Sequence, residues 1–311
     1  SDRTTADRTH RMSCSTRLVS PPTALRSRSR LSRVRQRASS VAVPRAAGSV
    51  SEAFEVARQE GRTAFVPFLC AGDPDFEATR QALLALDEAG STVIELGVPY
   101  SDPLADGSTI QAAASRALAG GATLDKCLEL VEEMAPRLKA PLVLFTYFNP
   151  IMSRGLDTFA ARLAEVGAKG LLVPDIPLEE TSLVRESTSK HGIELVLLAT
   201  PTTPAERMER IAAASEGFVY LVSLTGVTGA KTETDSRVEG LVSTLKSLTD
   251  KPVCVGFGIS GPKQAKQVAD WGADGVIMGS TLVKLLGEAE STEEGVNAVR
   301  DVATSVVEVL R

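Results

Sequence analysis

Eight short apolar runs, each separated from the next by enough chain for an amphipathic helix, constrain this sequence more than any other feature. They fall at residues 65–69, 92–96, 142–147, 170–173, 194–199, 218–222, 252–256 and 274–278, with starts mostly 22 to 34 residues apart. Between them lie helical patterns such as 76–89, 156–166, 204–214 and 262–271, several closed by a glycine (Gly90, Gly167, Gly272) of the kind that ends helices in the left-handed conformation. One gap, between the second and third runs, is 50 residues long and has room for a long loop and an extra helix. Eight strand–helix units after residue 50 predict an α/β chain folded as a single-domain (β/α)8 TIM barrel over residues 51–311. A doubly wound open sheet is the alternative. The absence of a G-x-G-x-x-G turn after the first strand weighs against its dinucleotide-binding form.

The net charge of −5 conceals a division. Residues 1–50 hold eleven Arg, no Lys and two acids, a net of +9, leaving −14 on the rest. A Ser- and Arg-rich, acid-poor head without an apolar core has the composition of an organelle transit peptide, here residues 1–50 and without structure of its own, with cleavage between about residues 39 and 51. A basic arm for nucleic acid is the other reading of that head. The acidic body is a poor match for nucleic acid, and no apolar run reaches the roughly eighteen residues of a membrane span. Cys70, Cys127 and Cys254 are widely spaced, and Cys14 lies in the head, so they read as small hydrophobes rather than disulfides or metal ligands. With His10 in the head, His191 alone cannot build a metal cluster or a nucleophilic triad.

A barrel places chemistry where its strands end, on the loops that follow. The second run leads into ELGVPYSDPLADG, residues 95–107. Period-two alternation sets Val93, Glu95 and Gly97 on one strand face, so Glu95 can point into the mouth of the barrel. Apolar surroundings there would raise its pKa toward the range useful for proton transfer near neutrality. Lys139, Lys169 and Lys251 precede strands and sit at the wrong end for Schiff-base chemistry. Carboxylate acid–base catalysis is what remains. Tyr220 offers a hydroxyl on the sixth strand, though a strand tyrosine is also at home simply packed. Three glycine-rich segments, at 226–231, 256–260 and 278–280, follow the last three strands, where barrels hold phosphate on backbone N–H groups. Gly279-Ser280 opens a helix, whose N-terminus favours an anion.

Taken together and in this order, FVPFLCAGDP, ELGVPYSDPLADG, VPDIP, YLVSLTGVTGAK, GFGIS and GVIMGS resemble the tryptophan synthase alpha subunit family along nearly all of residues 51–311. The resemblance implies a carbon–carbon lyase that cleaves indole-3-glycerol phosphate to indole and glyceraldehyde 3-phosphate. It also implies an α2β2 complex, with no cofactor in this chain and pyridoxal phosphate (PLP) in the beta subunit that receives the indole. Residue by residue, it assigns proton transfer to Glu95, the indole N–H to Asp106 and a catalytic-site place to Tyr220. It assigns the ring pocket to Phe68 and Tyr147, phosphate contacts to Gly229, Gly258, Gly279 and Ser280, and a closing loop to Thr228. Pro99 and Asp102 match positions facing the beta subunit, and Asp175 has a supporting place. Cys70 and Tyr100 stand where Thr and Phe are common in the family. The basic head fits a plastid-bearing source and a chloroplast location. The same active-site residues would serve a stand-alone lyase that releases indole. A non-catalytic barrel that only activates a partner is a third reading, opposed by the presence of both Glu95 and Asp106. A sugar-phosphate isomerase of the same barrel class would leave the second-strand motif unexplained.

Overall fold

The computed structural model describes residues 48–222, 231–256 and 258–311. Eight strands run β1 (Ala64–Cys70), β2 (Ile94–Gly97), β3 (Leu142–Phe145), β4 (Gly170–Leu172), β5 (Glu194–Ala199), β6 (Val219–Val222), β7 (Val253–Gly256) and β8 (Gly275–Met278). Every neighbouring pair is parallel, and β1 pairs with β8 with Phe65 beside Val276, so the sheet closes. That closure excludes the open doubly wound sheet. The helices are α1 (Val50–Gln59), α2 (Phe76–Ala89), α3 (Ser108–Ala119), α4 (Leu124–Met134), α5 (Phe148–Arg154), α6 (Leu156–Glu165), α7 (Thr181–Lys190), α8 (Ala205–Ala214), α9 (Lys231–Leu248), α10 (Pro262–Asp270), α11 (Ser280–Gly287) and α12 (Thr292–Val309). The long gap after β2 holds two helices, α3 and α4, the second being the extra helix expected there.

Successive strand residues point alternately into the barrel and out toward the helices. Ile94, Leu96, Leu142 and Leu144 join the outer core, whereas Val66, Val93, Val143, Leu172, Val196 and Ile277 fill the inside. Helix ends follow local chemistry. Asp75 caps α2 by accepting the Ala78 N–H at 2.7 Å, and Gly90 ends that helix at φ 102°. Gly167 and Gly272 take φ 90° and 85° just past α6 and α10, conformations in which a side chain is strained.

At the N-terminal end of the strands, α1 plugs the barrel. Val50 and Phe54 are buried within the inner core, and the Phe54 ring meets Phe218 at a centroid distance of 5.3 Å. Glycine makes the room: a Cβ on Gly217 would lie 2.9 Å from Val50, and one on Gly275 3.2 Å from Phe54. Ser49 and Glu52 form a reciprocal capping box at the start of α1, so this helix spans the 50/51 boundary expected for the barrel domain. Glu194, at the start of β5, accepts the Ser51 N–H at 3.0 Å and also its hydroxyl, which places a carboxylate at the positive end of the helix. Among the described residues no helix is long and apolar enough to cross a membrane.

Candidate active site

Glu95 sits on β2 in register with Phe68 of β1 and Val143 of β3. It shares the inward face with Val93 and is 1% exposed. Its Oε1 has no hydrogen-bond partner among the described residues, and burial pushes its pKa up to about 8. A carboxyl in apolar surroundings without a cation favours its neutral form. It is thus protonated at neutral pH and near enough to its pKa to exchange that proton. Tyr220 projects inward from β6 on the same face as Phe218. Burial, and then the charge of Glu95, hold its phenol above the usual tyrosine range. Its ring lies against Gly256 on β7, where a Cβ would be 2.6 Å from Cζ.

The loop from β2 to α3 supplies the second carboxyl. Asp106 accepts a hydrogen bond from the Tyr147 hydroxyl at 2.9 Å. Burial raises its pKa to about 6, opposed by that hydrogen bond. A carboxyl on β2 and one on the loop after it thus differ in environment: Glu95 favours its neutral form and Asp106 its ionised form at pH 7. That division suits a proton donor beside a fixed negative charge.

Phe68 joins the parts of the mouth. Its ring lies over Gly97, where an added Cβ would be 2.7 Å from Cε2, and a Cβ on Gly279 would touch it at 3.4 Å. It meets Phe145 edge to face at 5.5 Å. Phe145 was not singled out from the sequence; its position on β3 two pairs beyond Glu95, opposite Gly97, is the signal that identifies it. Tyr147 stacks on Tyr100 at 5.0 Å. Gly279 is the N-cap of α11 and Ser280 its first residue, while Gly258 takes φ 81° after β7. Thr228 and Gly229 lie outside the described residues. Of the two positions expected to face a partner, Asp102 is exposed and Pro99 is buried. Asp175 accepts the Phe148 N–H at the start of α5 at 2.8 Å, a supporting contact between the ends of β3 and β4. Cys70, Cys127 and Cys254 are buried thiols, and burial raises the pKa of each. No group of three metal-binding side chains occurs among the described residues.

A cavity of about 1100 Å3 surrounds α1 at the opposite end of the strands. Its charged groups are largely spent on each other: Lys246 pairs with Asp274, Arg185 with Glu216, and Lys251 donates to the carbonyls of Ala212, Ala213 and Ser215. The candidate site is therefore the mouth that holds Glu95.

A closed parallel barrel with a neutral carboxyl inside its C-terminal mouth, and a second carboxyl on the adjoining loop, has the makings of an acid–base barrel enzyme. Residues 54–309 match the family model for the tryptophan synthase alpha chain. The tryptophan synthase alpha chain of Picosynechococcus is 55% identical over 262 residues, covering 84% of this chain and 99% of that protein. The Arabidopsis thaliana alpha chain is 53% identical over 252 residues, covering 81% and 92%. The crystal structure of tryptophan synthase subunit alpha from Legionella pneumophila matches with a TM-score of 0.77 at 34% identity, covering 84% of this chain and 97% of that one. A chain of the Pyrococcus furiosus tryptophan synthase α2β2 complex matches at 0.73 and 37% identity, covering 79% and 99%. The chain belongs to the tryptophan synthase alpha chain family.

Proposed function

We propose that this alpha chain cleaves indole-3-glycerol phosphate with Glu95 as the proton-transfer group and Asp106 as the partner of the indole N–H. The observation that carries the assignment is the Glu95 carboxyl, buried inside the mouth and raised to about 8. Protonated Glu95 delivers its proton to C3 of the indole ring, and positive charge develops toward the ring nitrogen, where ionised Asp106 stabilises it. The Glu95 carboxylate then takes the proton of the hydroxyl on the carbon attached to C3. The bond between that carbon and C3 breaks, and its electron pair returns to the ring. Indole and the aldehyde of glyceraldehyde 3-phosphate result, and Glu95 is protonated again. No cofactor in this chain is needed for these steps.

Phe68 and Tyr147 wall the ring, Tyr220 borders Glu95, and Gly258, Gly279 and Ser280 with Gly229 receive the phosphate. Thr228 belongs to the segment that closes over the substrate. The beta subunit of an α2β2 complex takes up the indole and carries the PLP. Asp102 and Leu104, the latter 84% exposed on the same loop as Asp106, present a surface for it. We place the protein in the plastid stroma after removal of its basic head, cleaved ahead of the Ser49 cap of α1. The composition of that head and the plant and cyanobacterial relatives support this location.

Indole formation from indole-3-glycerol phosphate, measured with and without beta subunit across pH 5–9, tests the reading. The profile of kcat/KM is expected to be bell-shaped. Activity falls below about 6 as Asp106 protonates and above about 8 as Glu95 ionises. Strong activation by beta subunit marks a synthase subunit, high turnover alone marks an independent lyase, and binding of beta subunit without cleavage would overturn the catalytic assignment.

A further inference from the structure

Beyond lining the ring pocket, the phenol of Tyr147 is the single described group that hydrogen-bonds the Asp106 carboxylate. It donates to Oδ2 at 2.9 Å, and it accepts the N–H of the preceding residue, Ala105, at 3.1 Å. One hydroxyl therefore uses both of its hydrogen-bonding capacities on two consecutive residues of the β2–α3 loop. Tyr147 itself has little latitude. It is 3% exposed, its ring is stacked on Tyr100 of that same loop, and it forms the N-cap of α5. Its neighbours on both sides are tied to β4 and the loop after it. The Thr146 N–H donates to the Leu172 carbonyl at 3.0 Å, and the Phe148 N–H donates to Asp175 at 2.8 Å. The phenol is thus a fixed point set by β3 and β4, and the loop bearing Asp106 hangs on it.

We propose that Tyr147 is a positioning residue for Asp106, holding the carboxylate by Oδ2 so that Oδ1 meets the indole N–H. The inference rests on the assignment of Asp106 to that N–H. A carboxylate anchored before substrate binds needs no reorganisation when positive charge develops on the ring, so the benefit falls on the transition state and not on ground-state binding. The donated hydrogen bond also favours the ionised form that the N–H requires, against the burial that disfavours it. Among the described residues, the other titratable groups that feel the Asp106 charge are Cys70 on β1 and Tyr220 on β6. Burial keeps the Cys70 thiol and the Tyr220 phenol uncharged below pH 9. Glu95 titrates on the alkaline side, and Asp175 acts on Tyr147 rather than on Asp106. The substrate's own phosphate, with a second pKa of about 6, titrates alike in parent and variant, so a difference between their low-pH limbs reports Asp106.

The test is Tyr147→Phe in the complex with beta subunit, since this change keeps the ring and its stack on Tyr100. The expected result is an unchanged unfolding midpoint and KM within about threefold, with kcat reduced at least about tenfold, the scale of a lost hydrogen bond to a charged group. The low-pH limb of kcat/KM moves to higher pH. In an Asp106→Asn background the same change adds little, because the group it positions is gone. A Tyr147→Phe enzyme with wild-type kcat and an unmoved low-pH limb, alongside an inactive Asp106→Asn enzyme, would overturn the positioning role alone. An active Asp106→Asn enzyme would instead overturn the assignment on which it rests.

Discussion

Asp73 and Arg116 are joined by two parallel hydrogen bonds, Nε to Oδ1 at 2.8 Å and Nη2 to Oδ2 at 2.9 Å, with Asp73 only 2% exposed. Asp73 follows β1, and Arg116 lies on α3, the helix that begins just after Asp106. The pair presses against the end of α11, where a Cβ on Gly287 would be 2.7 Å from Asp73 Oδ2. One ion pair thus braces the helix that follows the acid–base loop against the helix whose start is proposed to hold phosphate. Arg116 itself is 35% exposed, but removing it leaves the buried Asp73 carboxylate without compensation. Arg116→Ala is expected to cost about 3 kcal/mol in urea unfolding, and Arg116→Lys to recover only part of it because an ammonium cannot make the two-pronged contact. A loss below about 0.5 kcal/mol, the size of a surface pair, would contradict the bracing role.

Glu95→Gln separates catalysis from stability. It is expected to lower kcat at least about 100-fold while leaving the fold intact. The stability effect has a definite sign. Glu95 has its folded pKa raised by burial to about 8 from an ordinary value of 4.5. Between those values the unfolded chain has given up this proton and the native state has kept it, so the group makes stability fall as pH rises. Glutamine cannot ionise. The Tm of Glu95→Gln relative to the parent should therefore climb between about pH 4.5 and 8 and then level off, whatever constant cost the amide carries. A Tm difference flat across that range would mean that Glu95 is not held neutral.

How far the sequence carries depends on how local each cause is. The α2 boundaries, 76 to 89, are set by Asp75 and Gly90 immediately outside them, and both are legible. Glu95 was legible because period-two alternation alone puts it inside with Val93. The end of β3 was not. The apolar pattern runs on through Tyr147, yet the ladder stops at Phe145, and Tyr147 turns to cap α5 and hold Asp106, 41 residues away in sequence. The Asp73–Arg116 pair spans 43 residues and has no local signature. Pro99 is buried while Asp102 of the same motif is exposed: the surrounding fold, not the motif, decides which of its residues face solvent. The α1 helix had a local signal, the Ser49–Glu52 capping box, overshadowed by the arginine-rich composition that precedes it.

Gly97 is the position where a single methyl group should tell most about the ring pocket. The Phe68 ring occupies the space a Cβ would need, and Phe68 also touches Phe145 and the Gly279 turn. Gly97→Ala is expected to force the ring aside at about 1–3 kcal/mol of stability, the usual cost of overpacking, and to raise KM for indole-3-glycerol phosphate about tenfold, since a displaced wall weakens substrate binding. Adding Phe68→Leu should restore stability without restoring KM. Wild-type KM in Gly97→Ala would mean that Phe68 does not wall the substrate.

Truncations locate where the folded chain begins. Removing residues 1–45 spares the capping box and the whole of α1, and is expected to leave Tm and turnover close to those of the full chain. Removing residues 1–59 takes Val50 and Phe54 out of the inner core and deprives Glu194 of the helix end it caps. Burying two such side chains is worth about 1.5–3 kcal/mol each, so this variant should lose about 3–6 kcal/mol in chemical denaturation. The plug lies at the opposite end of the strands from Glu95, so kcat of the molecules that still fold should change far less than their stability. A large loss of stability already on removing 1–45 would make the basic head part of the structure. An equal fall in kcat and stability on removing 1–59 would mean that α1 reaches the active site through the barrel.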